Sequence, residues 1–143
     1  MRRAIIALSL ALTGCSMATD THLAAEAVPK FHELMDSGQY DAIYATGSEA
    51  LKSTNTPEKF AAVIGAIHRK LGPTKSSEQQ SWRIHYRTEG TTVVLTYATV
   101  FAEGDGVETF TYRLEGDKAL LEGYNIKSEA LVLKERCRVV CRF

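Results

Sequence analysis

The side chains whose types and spacing could do chemistry are two C-terminal cysteines, Cys137 and Cys141, four scattered histidines, and a few acids and aromatics in alternating segments. The two cysteines are four positions apart. An extended strand would hold their Cα atoms about 13 Å apart, beyond disulfide reach, so they pair only if the segment is helical or looped. No neighbouring histidine or further cysteine completes a tetrahedral shell around them, which argues against zinc. His22, His32, His68 and His85 include no pair at the three- or four-residue spacing of a helical metal site. No metal and no cofactor is implied.

Catalysis by a buried carboxylate needs an acid on an inward strand face. The longest strand-like run has none. Glu108 and Glu115 fall at strand ends near turns, and Glu122, between Leu120 and Tyr124, is the acid whose parity points inward. Its ordinary alternatives are solvent exposure after a local bulge or a hydrogen bond to a tyrosine. His68, beside Ile67, lies at the edge of a helical apolar stripe and is a second candidate cavity residue. Tyr40, Tyr44, Trp82, Tyr97 and Tyr124 are candidates to line the same cavity; core packing accounts for strand-face aromatics equally well.

The elements that must position these residues are legible from periodicity. Thr91 to Phe101 lacks charge and proline and is rich in β-branched and aromatic types, which predicts the central strand of a sheet. Val93, Leu95, Tyr97 and Phe101 share one face; Val94, Ala98 and Val100 share the other, predicting cover on both sides. Around it, Gln80 to Arg87, Val107 to Leu114 and Ala119 to Ile126 alternate between glycine-and-acid turns, which makes a four-stranded antiparallel meander. Upstream, Ala24, Ala27, Val28, Phe31, Leu34 and Met35 form a helical stripe ending near Gly38. Gln39 to Ala50 predicts a shorter helix weakened by Gly47, and Thr56 to Leu71 a third, with Thr56 as cap, Pro57 at its first position and Gly72 as its exit. Helices grouped before strands predict an α+β fold: three N-terminal helices packed on a curved four-stranded antiparallel sheet.

At 143 residues, 45% apolar and 24% charged, the chain has the size and balance of one globular domain. Basic and acidic side chains are equal at 17 each, so nothing in the charge favours a nucleic-acid partner.

The beginning of the chain resembles a bacterial lipoprotein signal: Met1-Arg2-Arg3, an uncharged run from Ala4 to Leu12, then Leu12-Thr13-Gly14-Cys15. That run is far short of the roughly 20 residues a membrane-spanning helix needs. The resemblance implies cleavage before Cys15, diacylation of its sulfur, and a partner in the membrane itself through that lipid. Ser16 in place of aspartate implies sorting to the outer membrane with the domain facing the periplasm. The expected organisation is a signal peptide over 1–14, lipidated cysteine and tether over 15–22, an α+β domain over 23–128 and an extension over 129–143.

From about Ala24 to Ser128 the chain also resembles the cystatin-like superfamily that includes nuclear transport factor two, and within it bacterial secreted proteins and lipoproteins of unknown function. The likeness rests on Phe31, Gly38, Tyr40 and Tyr44, on Phe60 with Leu71-Gly72, on Tyr97 to Phe101 and Phe110, and on Gly123-Tyr124 with Ile126 and Ser128. It implies often a conical cavity and often a homodimer, but no reaction, because such folds house enzymes and binding modules alike. Two functions follow as expectations. One is a non-enzymatic module that captures an unknown protein partner, an immunity-type inhibitor of a toxin being one form. The other is a small-ligand carrier or isomerase-like enzyme using Glu122 and His68 inside the cone.

Overall fold

A computed structural model describes residues 16–133. Lipidation of Cys15, the signal preceding it and the pairing of Cys137 with Cys141 all lie outside the described residues.

Helix α1 (Ser16–Asp36) begins earlier than expected, because the small polar residues read as a tether continue the helix. Ala24, Val28, Phe31 and Met35 are buried along one face, and His32 is buried with them. The helix stops where Gly38 takes φ 72°, with Gly38 and Gln39 N–H donating back to Met35 and Leu34 carbonyls. The expected second helix is two, α2 (Tyr40–Ala45) and α3 (Glu49–Thr54). Gly47 lies between them because a Cβ there would sit 2.5 Å from Leu51 Cδ2. Ser48 then caps α3 by accepting from Leu51 N–H.

Helix α4 (Pro57–Leu71) is bounded as its signals predict: Thr56 accepts from Lys59 N–H, and Gly72 leaves at φ 73°. Phe60, Ile64 and Leu71 are buried, whereas Val63 is 52% exposed. Gly65 takes part in the buried face instead, against the Tyr40 ring.

Strands β1 (Thr74–Arg87), β2 (Gly90–Phe101), β3 (Gly104–Glu115) and β4 (Lys118–Lys127) form the expected antiparallel meander in the order β1-β2-β3-β4. A short helix, α5, follows over residues 129–133. The first strand starts six residues before the apolar alternation at Gln80 does. Thr74 to Gln79 carries no hydrophobic pattern, and it is strand because it pairs with β2 through two register shifts. The helices pack on the face carrying Val93, Leu95, Tyr97, Phe101, Phe110, Tyr112 and Leu121, all buried. Cover on the opposite face of β2 is not found among the described residues: Val94 is half-buried, while Ala98 and Val100 are exposed.

The two sheet edges differ. At β4 the α2–α3 link bridges the edge at Leu121, with Ser48 N–H donating to Leu121 carbonyl at 2.9 Å and Leu121 N–H to Thr46 carbonyl at 3.3 Å. At β1 no described backbone group pairs with the outer edge, and the Thr74 N–H at its start donates to the Asp36 carboxylate.

Candidate functional site

Among the described residues, the inward face of the sheet carries one fully buried acid, Glu108. Its position follows from parity, since Glu108, Phe110 and Tyr112 alternate on β3 and sit opposite Tyr97, Leu95 and Val93. A lone carboxylate there would be too costly to bury, and other elements supply its partners. His32 Nε2 from α1 lies 2.8 Å from Oε2. Thr99 Oγ1 from β2 donates to the same oxygen at 2.5 Å, and Tyr124 OH from β4 donates to Oε1 at 2.7 Å. Ser77 Oγ on β1 lies 2.9 Å from Thr99 Oγ1; with the Thr99 proton directed at Glu108, Ser77 is the donor. One carboxylate thus links α1 to β2, β3 and β4, and through Thr99 to β1.

Aromatic rings surround the network. Phe110 contacts Phe31 edge-on with centroids 5.1 Å apart, meets Tyr97 at 5.9 Å, and stacks on Tyr112. Burial, reinforced by the Glu108 charge and the bond to it, pushes the Tyr124 phenol far above its usual range. Burial does the same for Tyr112, with Tyr97 and Glu108 adding to it, and the Tyr112 hydroxyl has no hydrogen-bond partner among the described residues. A carboxylate, an imidazole and a phenol together have the parts for acid–base chemistry. Here both carboxylate oxygens are occupied and the side chain is fully buried, so the arrangement as folded cross-links layers.

Glu122 is not the inward acid. The register shift between Thr111 and Tyr112 makes it the extra residue of a bulge in β4, and it faces Arg113 Nη1 at 3.6 Å with its side chain 24% exposed. The other expected cavity residues do not form one site. Tyr40 OH meets His68 Nδ1 at 3.0 Å, and His68 Nε2 lies 3.7 Å from Asp36 Oδ1. Asp36 in turn accepts the Thr74 N–H, so this second network ties α1, α2 and α4 to the start of β1. Tyr44 donates to the Asn55 carbonyl and packs on Phe60. Trp82 is 50% exposed on β1. Of the expected set, Tyr97 and Tyr124 alone border Phe110. A separate hollow of about 420 Å³ between α4 and β4 is lined by Phe60, Ile64, Ile67, Glu122, Tyr124 and Ile126 among others.

His32, Thr99 and Glu108 are the site residues that sequence reasoning misses. Their signals are present: Glu108 shares parity with Phe110, and His32 follows Val28 by four positions on the buried stripe. No group of three or more potential metal ligands occurs among the described residues.

Helices laid across one face of a four-stranded antiparallel meander, knitted together by a buried carboxylate, define a small α+β domain. The chain belongs to the family described as "Protein of unknown function (DUF4019)", whose profile matches residues 27–124. Among solved structures it is similar to Aln2 from a Streptomyces species, at 14% identity and a TM-score of 0.49 over 82% of this chain and 96% of that one. No curated protein matches the chain.

Proposed function

We propose that the protein is a non-enzymatic binding module of the bacterial envelope, held at the periplasmic face of the outer membrane by lipid on Cys15, that captures an extended segment of another protein along β1. The observation that supports this is the length of open edge at β1: β4 is bridged at Leu121 by the chain's own backbone, while β1 runs for 14 residues with no backbone partner on its outer edge among the described residues. An open edge of that length is a template for strand addition, in which main-chain hydrogen bonds give affinity and alternate side chains give specificity.

The stretch Ser81–Arg87 is free of register shifts. Trp82, Ile84 and Tyr86 lie on its inward face, with Trp82 50% and Tyr86 55% exposed. Arg83, His85 and Arg87 lie on the other. The segment this edge suits alternates apolar residues with acids. An immunity-type inhibitor is the narrower form of the reading, with the captured strand belonging to a toxin.

The test is affinity capture from the host envelope followed by native mass spectrometry, run in parallel on wild type, on Trp82→Ser/Arg83→Glu/Arg87→Glu, and on Glu122→Gln. A protein held at fixed stoichiometry by wild type and Glu122→Gln, but lost from the triple variant, is the expected result. Equal retention by all three would place the contact elsewhere, and recovery of a homodimer alone would replace the partner with a second copy.

A second reading, a small-ligand carrier, is favoured by the hollow of mixed polar and apolar lining between α4 and β4, whose volume is at the lower end of ligand pockets. A small molecule retained in the same spectrum, and lost on Ile64→Trp, is the result that would favour it.

A further inference from the structure

On the sheet face turned away from the helices, beside the β1–β2 turn, lies a hollow of about 400 Å³. Register brings its walls together. His85 pairs with Thr92, Thr92 with Arg113, and Val94 with Thr111, so β1, β2 and β3 present these side chains side by side. The bulge in β4 adds a further wall: as the extra residue opposite Thr111 and Tyr112, Glu122 is turned off the core side toward Arg113 and lines the hollow.

Arg113 is fixed while most of its donors stay open. Gly90, at φ 131°, leaves room for the guanidinium, since a Cβ there would lie 3.3 Å from Nη2. Nη2 donates to the Glu89 carbonyl, whereas Nη1 lies 3.6 Å from Glu122 Oε1 and Nε 3.8 Å from Glu115 Oε1. Both ion pairs are longer than hydrogen bonds, so they leave guanidinium donors and the Glu122 oxygens available. Among the described residues, His85, Arg87, Thr92 and Thr111 make no side-chain hydrogen bond or ion pair. The other acid of the lining is Glu89, whose carboxyl is held below its usual range by its own backbone N–H and by Thr88, with Arg87 and Arg113 adding to this.

The lining is rich in open donors yet balanced in charge, with the guanidiniums of Arg87 and Arg113 against the carboxylates of Glu89 and Glu122. A simple anion would gain the donors but meet the acids. A ligand that carries a carboxylate and an ammonium satisfies both signs. In an α-amino acid the two groups flank one carbon, about 3 Å apart by standard covalent dimensions. Arg113 Nη1 and Glu122 Oε1 are 3.6 Å apart, so such a head group can lie across the pair with its charges reversed.

We propose that this hollow binds the head group of a free α-amino acid, its carboxylate held by Arg87, Arg113 and the Thr92 and Thr111 hydroxyls, and its ammonium by Glu122. The inference depends neither on what β1 captures nor on the hollow between α4 and β4.

The test is an amide-resolved NMR titration of the full chain, carrying Cys15→Ser so that no lipid is added, with a mixture of the proteinogenic L-amino acids. The expected result is saturable shifts at the Gly90, Thr92, Thr111 and Glu122 amides. Arg87→Gln and Glu122→Gln should each weaken the apparent affinity about tenfold or more, the effect of losing one charge-assisted contact, and leave the amide pattern elsewhere unchanged. The same mixture as N-acetyl derivatives, which lack the ammonium, and as amides, which lack the carboxylate, tests both contacts on the unaltered site. Neither should shift these amides. Silence at the four amides with the free amino acids overturns the proposal. So does equal binding of the N-acetyl derivatives, which would make this a simple anion site, or equal binding of the amides. Shifts confined to Ile64 and Ile67 would place the ligand between α4 and β4 and overturn it too.

Discussion

Glu108 and His32 lie 2.8 Å apart across 76 positions of sequence, and their side chains are 0% and 8% exposed. The pair sets how α1 lies on the sheet, because rotating the helix by one residue would carry the imidazole off the carboxylate and leave Glu108 with Thr99 and Tyr124 as its donors. Glu108→Ala should therefore destabilise the domain by about 3–5 kcal/mol, because His32, Thr99 and Tyr124 lose their shared carboxylate partner. Glu108→Gln, which keeps the shape, should cost less, about 1–3 kcal/mol. Urea unfolding measures both, and a loss under about 1 kcal/mol for the alanine variant, on the order of a single ordinary hydrogen bond, would remove the hub from the account.

Glu122→Ala should behave differently. Its contact with Arg113 is a partly exposed ion pair at 3.6 Å, so the expected loss is below about 1 kcal/mol and should shrink further in salt. A loss as large as that of Glu108→Ala would mean that the bulge residue carries structure the geometry does not reveal.

Alkaline pH should unfold the domain through its buried phenols. Tyr112 and Tyr124 are both raised, by burial first and then by neighbouring charge. Below the ordinary tyrosine value near 10 both states keep the proton, and the folded state has no disadvantage. Above it the unfolded chain releases protons that the folded one retains, so stability falls as pH rises, by up to about 1.4 kcal/mol per pH unit for each phenol. Urea midpoints measured from about pH 8 to about pH 11, on either side of that value, should show the slope, and Tyr124→Phe should remove about one proton's share of it. An identical slope in the variant would refute this assignment.

The ends of α4 give two local tests. Thr56→Ala removes the side-chain acceptor for Lys59 N–H and should cost about 1 kcal/mol. Gly72→Ala forces a side chain into φ 73° and brings a Cβ to 3.0 Å from that of Ala102, so a loss of about 1–3 kcal/mol is expected. Thermal melts compared with wild type decide both.

Trp82 is the sole tryptophan and half of it is in solvent, so its fluorescence reports on β1 directly. A strand added to that edge should shift its emission to shorter wavelength. Titration with an alternating apolar and acidic peptide measures this, and an unchanged spectrum with a peptide shown to bind would move the contact away from Trp82.

The elements whose causes are local are legible in the sequence. Thr56, Pro57 and Gly72 bound α4 by cap and exit chemistry that involves only neighbouring residues, and the alternation through Val93, Leu95 and Tyr97 orients β2 without reference to any partner. The edge stretch Thr74 to Gln79 is not legible, because it is strand by pairing with β2 and buries little of its own. The site is readable only in part. Parity puts Glu108 on the same face as Phe110, but an isolated acid is not stable in a core, and on sequence alone a strand-end position is the cheaper place for it. The partners that make its burial tolerable, His32, Thr99 and Tyr124, come from α1, β2 and β4. Glu122 fails in the opposite sense, because a bulge of one residue reverses its face and depends on how β3 and β4 settle into register. Local signals determined α4 and the β2 core of the sheet; tertiary structure alone decided the start of β1 and which acid was buried, because strand pairing and the energy of a buried charge are set by residues far away in the chain.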